Sequence, residues 1–138
     1  MKKIPASDNA LALRTDFSDE AAWNAVCAAI QEPDDEFGFT ANVNFVNDRE
    51  YEGLTVEQLP SILADDANYS FAFIIDHKAL SETEHPILVV DLSDDPGRTF
   101  RVIPSEMWNV ENNLSIANMG FDEFASAVDS DRVFRGFN

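Results

Sequence analysis

The stretch Ser70-Phe71-Ala72-Phe73-Ile74-Ile75-Asp76, with its companion Pro86-Ile87-Leu88-Val89-Val90-Asp91, decides the fold. Both are short, nearly unbroken apolar runs rich in β-branched residues, which suits central strands covered on both faces. Downstream, Asp95-Pro96-Gly97-Arg98 has Pro and Gly at the middle positions of a type II turn, and Thr99-Phe100-Arg101-Val102-Ile103 returns antiparallel with Phe100 and Val102 inward. Upstream, Asn42-Val43-Asn44-Phe45-Val46 alternates with period two, and Ala10 to Arg14 does so more weakly. Between them Ser18 is the expected N-cap of a helix whose stripe is Trp23, Val26, Cys27 and Ile30. Thr55 and Gln58 offer a capping box, while Pro60 implies that the helix starts near Leu59 or has a distorted first turn.

In the last third, Pro104 to Glu111 starts a short helix, and a break at Asn112-Asn113 is favoured, with Leu114-Ser115-Ile116-Ala117 as a further strand. One helix from Ser105 to Asn118, with the stripe Met107, Val110, Leu114 and Ala117, is the other reading. Phe121 to Val128 is a helix, and Arg132 to Phe137 a closing strand or clamp. This order predicts an α/β fold leaning to α+β: one domain over residues 1–138, a mixed sheet of about five to seven strands and about four packed helices. The first half is expected to be parallel, the hairpin after Asp91 antiparallel, and residues 1–9 a flexible arm.

The chain has 138 residues, with 26 Asp and Glu against 9 Lys and Arg, a net charge of -17. Its 45% hydrophobic content and 11 Phe exceed what a disordered acidic tail would carry, so it should fold. No apolar run approaches the roughly 20 residues of a membrane span. The start Met1 to Asp8 lacks the apolar region of a signal peptide, and the single Cys27 excludes an internal disulfide. A reducing, cytoplasmic setting is expected. The acid surplus is spread, -6 over residues 1–50, -8 over 51–100 and -3 over 101–138. Nucleic acid and anionic membranes are therefore excluded as direct partners, and a cationic protein is the natural one.

Motifs for nucleophilic catalysis, phosphate cradling, dinucleotide binding and zinc ligation are absent, and no cofactor is implied. The loop after Asp91 resembles a calcium loop but has its glycine one place late and Val102 where a bidentate Glu is needed. Asp16, Asp48, Asp76 and Asp91 each follow an expected strand, so they are the candidates for a divalent cation at strand ends; their ordinary role would be caps and turns. His77 and His85 read as surface loop residues, and Cys27 as a small buried hydrophobe. Arg101, Trp108, Asn109, Asn112, Asn113, Asn118 and Arg135 gather amides, guanidinium groups and an indole where local propensities conflict, which makes them ligand or partner candidates. The competing role is to satisfy loop backbone and pair with surrounding acids.

The run Arg98 to Trp108, then Glu111 to Met119, then Phe134-Arg135-Gly136-Phe137, together with Asp16 to Trp23 and Tyr51 to Thr55, resembles an uncharacterised family of small bacterial proteins known only as a domain of unknown function. The resemblance implies a bacterial, stand-alone cytosolic domain and supplies no activity, cofactor or catalytic residue. The leading functional expectation is a non-enzymatic acidic interaction domain, an inhibitor or immunity-like partner of a basic protein. A carboxylate-based enzyme or sensor using a divalent metal is the second reading. A homo-oligomeric structural protein, suggested by the aromatic content near Trp108 and Phe137, is the third.

Overall fold

Alanine and leucine alternate along strand β1 (Ala10–Arg14), and the two layers of the molecule are built on that alternation. In the computed structural model, which describes residues 1–137, Ala10 and Ala12 face one apolar layer and Leu11 and Leu13 the other. β1 sits between β2 (Val43–Val46) and β3 (Phe71–Ile75), parallel to both. β4 (Ile87–Asp91) is antiparallel to β3 and to β5 (Thr99–Val102), and β6 (Val133–Phe134) closes the edge parallel to β5. The result is a single α+β domain around one six-stranded mixed sheet of order β2-β1-β3-β4-β5-β6.

Helix α1 (Glu20–Gln31) crosses from β1 to β2 on the alanine face, with Trp23, Val26 and Ile30 buried. Its cap is Asp19, whose carboxylate accepts the Ala22 N–H at 2.9 Å, one residue beyond the expected Ser18; the Ser18 hydroxyl donates to Asp16 instead. The return from β2 to β3 passes over the leucine face through the 3-10 turns Arg49–Tyr51 and Val56–Ile62. The second is 3-10 rather than α because Pro60 lies inside it and has no N–H to give. Gln58 Oε1 accepts the Thr55 N–H at 2.9 Å. The crossover changes face between β1 and β3, so their carboxyl ends form the switch point of the sheet.

Three expectations need correction. Residues after Asp76 fold into a short helix α2 (His77–Ser81) where a loop was expected, because the Asp76 carboxylate accepts the Ala79 N–H at 3.2 Å. The expected break at Asn112-Asn113 is absent: after the 3-10 turn Pro104–Glu106, helix α3 (Met107–Ser115) runs through both asparagines, and Leu114 to Ala117 form no strand. Asn113 Nδ2 donates to Asn109 O and Oδ1, which satisfies its amide along the helix instead of breaking it. The helix ends with Ala117 at φ 56°, where the Asn118 N–H reaches Asn113 O and the Ala117 N–H reaches Leu114 O. Within residues 1–9, expected to be a flexible arm, the stretch from Lys2 to Pro5 is docked. Ile4 is 2% exposed and pairs with Leu63, and the Tyr51 hydroxyl donates to Lys2 O at 2.6 Å. Helix α4 (Phe121–Ala125) ends short of the expected Val128 and buries Phe121 and Phe124 against Phe100. Among the described residues no helix is long and apolar enough to cross a membrane.

Candidate functional site

At the switch point, where an open sheet would hold a ligand, the charged groups are engaged with one another. Arg14 ends β1 and is 1% exposed. Its guanidinium lies over Phe17 at 4.2 Å and Trp23 at 4.8 Å from the ring centroids. Nη1 donates to both Glu20 oxygens at 2.9 and 3.2 Å and Nε to Asp16 O at 2.8 Å. Nη2 is buried without an acceptor, and the ring faces are the partners left to it. Asp16 Oδ2 lies 2.7 Å from His77 Nδ1, while Oδ1 accepts the Ser18 N–H and hydroxyl. Burial opposes ionisation of Asp16, but the Ser18 donors and His77 outweigh it and hold the carboxyl below its usual range. The Ser18 proton is thus committed to the carboxylate, not to the imidazole a nucleophile would need. Asp76 accepts both Arg101 Nη1 and Nη2, at 3.0 and 2.7 Å.

The four strand-end aspartates do not converge. Asp48 caps Glu50 and pairs with Lys2. Asp91 lies at the opposite edge from Asp76 because β3 and β4 are antiparallel, and its carboxylate accepts the N–H groups of Ser93, Asp94 and Asp95. Among the described residues no three His, Cys, Asp or Glu side chains gather in a metal-binding group. A cavity of about 560 Å³ opens between Asn68, Asp91, Asp94, Asn118 and Phe121, and the Asp91 carboxylate in its wall is engaged by those three backbone donors.

The loop from α1 to β2 builds a different surface. Asp34 accepts the backbone N–H groups of Glu36, Phe37 and Phe39, and Gly38, at φ 73°, donates its N–H to Asp34 O. Glycine adopts that left-handed backbone without the steric cost of a Cβ. The turn holds Phe37 and Phe39 outward and stacked, with ring centroids 5.6 Å apart. They remain 54% and 52% exposed, although both rings touch Trp108 on α3, at 5.7 and 5.2 Å. The Trp108 indole N–H is shielded and has no acceptor among the described residues.

Beside the rings lies a cavity of about 350 Å³ lined by Phe39, Thr40, Asn42, Trp108, Glu111 and Asn112. Glu111 is 5% exposed. Its two oxygens accept the Asn42 N–H and the Ser115 hydroxyl, each at 2.7 Å, and no Lys, Arg or His pairs with it among the described residues. The corner is electronegative. Burial first, then the fields of Asp34 and Glu36, raise Glu106 above the ordinary glutamate range against the opposing bond from Asn109.

Of the residues singled out from sequence, Trp108 and Asn112 meet in this cavity. Asn109, Asn113 and Asn118 form an amide ladder along α3 and its end. Arg101 is held by Asp76, and Arg135 by Glu84, Asp129 and Asp131. Phe137 lies on Phe124 and Phe134. Burial pushes the Cys27 thiol up to about 11, so it is a poor nucleophile. Phe37, Phe39 and Glu111 were missed from sequence. The signal was present in two phenylalanines flanking a glycine inside an acidic turn, since large apolar residues in a solvated loop are unusual.

No curated protein matches the chain. A family match covers residues 9–137, which include the whole six-stranded sheet, and by it the chain belongs to the family described as Domain of unknown function (DUF6924).

Proposed function

We propose that the protein is a non-enzymatic acidic binding domain that docks a basic protein on the Phe37–Phe39–Trp108 corner. The observation that carries this reading is an exposed ring stack on two segments, residues 15–48 and 102–131, that contain 14 Asp and Glu and no Lys, Arg or His. Aromatic anchors surrounded by like charge fit a partner of opposite charge, with the rings supplying affinity and the carboxylates steering and orientation. Six of those acids are engaged by basic side chains from elsewhere in the chain, Asp16 by His77, Glu20 by Arg14, Asp48 by Lys2, Asp122 by Arg98, and Asp129 and Asp131 by Arg135, whereas Asp34, Glu36, Glu106 and Glu111 at the corner make no ion pair among the described residues. An inhibitor or immunity-like role toward a basic protein in a bacterial cytoplasm is the biological form of this reading, and the single cysteine supports a reducing setting.

The test is a nuclear magnetic resonance titration with a 20-residue peptide of alternating Lys, Arg and Gly. Shifts centred on residues 34–42 and 106–112, abolished by Phe37→Ala with Phe39→Ala and weakened steeply by salt, support the reading. Shifts spread evenly over the acidic exterior, or no binding at low salt, overturn it.

A further inference from the structure

We propose that the cavity between Phe39 and Trp108 receives a single arginine side chain of the partner; this rests on the reading of the corner as the docking face. Three features carry it. The cavity, about 350 Å³, has one buried charge in its wall, the Glu111 carboxylate, whose hydrogen bonds come only from a neutral amide and a neutral hydroxyl. A buried carboxylate gains most from a cationic partner that also hydrogen-bonds, and each oxygen retains acceptor capacity after one bond. Two rings inclined at 55° flank the same space. Aromatic faces attract guanidinium, which is planar and weakly hydrated, more readily than they attract a compact, strongly hydrated ammonium.

The same chain shows the chemistry fulfilled elsewhere. Arg14 lies between Phe17 and Trp23 with its Nη1 on both oxygens of Glu20. Phe39, Trp108 and Glu111 bring together the same residue types, a phenylalanine, a tryptophan and a glutamate, on a face whose two contributing segments contain no cation.

The experiment uses the intact chain and three short acetylated, amidated peptides, Gly-Ser-X-Ser-Gly with X as arginine, lysine or citrulline. The readout is the Trp108 indole N–H resonance, with Trp23 as the internal control. The arginine peptide should shift Trp108 saturably, the lysine peptide should bind several-fold more weakly, and the neutral citrulline peptide should leave the resonance in place. Glu111→Gln should weaken the arginine peptide about tenfold. Phe39→Leu, at a half-exposed position, should weaken it with the fold intact. Equal response to arginine and citrulline, or an arginine response unchanged in both variants, overturns the arginine pocket. If the 20-residue basic peptide still binds the corner while the arginine peptide leaves Trp108 unmoved, the pocket falls and the docking face stands. If neither peptide reaches the corner, both fall.

Discussion

Around Arg14 a phenylalanine, a tryptophan and a glutamate hold a cation that belongs to the chain; around Trp108 the same residue types line a surface to which the chain contributes none. The first assembly is 1% exposed at its centre and ties the end of β1 to the start of α1. The second leaves two phenylalanines half exposed. Where the fold supplies both charges, the pair fixes local geometry and covers the crevice that the sheet topology offers. Where it supplies only the anion and the rings, apolar area stays in water at a cost, which covering by a partner would recover.

The sharpest break in this comparison is Arg14→Ala. Removing the guanidinium leaves a gap between Phe17 and Trp23 and frees Glu20, and the expected loss is about 3 kcal/mol of stability in urea unfolding. A loss below about 1 kcal/mol would show that the ring sandwich is not structural and would undo the contrast. Asp76→Ala removes the cap of α2 and strands Arg101 beside the sheet, for an expected loss of about 2 kcal/mol. At the corner, Phe37→Ala and Phe39→Ala should each cost less than about 1 kcal/mol, because the rings are half exposed to begin with. A larger loss in either variant would mark the corner as structural.

The same contrast shows what the sequence made legible. Period-two alternation in β2 and the apolar runs of β3 and β4 specify strands because burial on one or two faces leaves that pattern directly in the chain. Helix α2 has five residues and no stripe, so only the Asp76 cap could have announced it. Helix α3 departs from its local sequence pattern for a different reason: turn propensity at Asn112-Asn113 is local, and it yields to the burial of Met107 and Val110 and to the amide bonds from Asn113 to Asn109. The site was half visible. Trp108 and Asn112 stood out by composition, but Glu111 acquires its role from Asn42, 69 residues away in the chain, and no local pattern encodes that meeting.

The smallest expected effect is also the one that separates the two sides of the corner by sign. Burial opposes ionisation of Asp34, yet the backbone N–H groups it caps prevail and hold its carboxyl below the usual range. A depressed folded value means that its contribution is present above the ordinary aspartate range near 3.9 and is lost as pH falls through the folded value. Glu106 runs the other way. Its raised value means that stability is present below the ordinary glutamate range and is lost as pH rises through the raised value. Acidification should therefore loosen the Phe37–Phe39 turn while relieving Glu106, and the two changes partly cancel in global stability. They do not cancel locally: amide exchange at Glu36, Phe37 and Phe39 should quicken below the aspartate range, with α3 unaffected. In Asp34→Asn the turn should lose that pH dependence, leaving only the opposite slope from Glu106. A variant that kept the acid loosening would show that the charge of Asp34 is not what holds the rings outward.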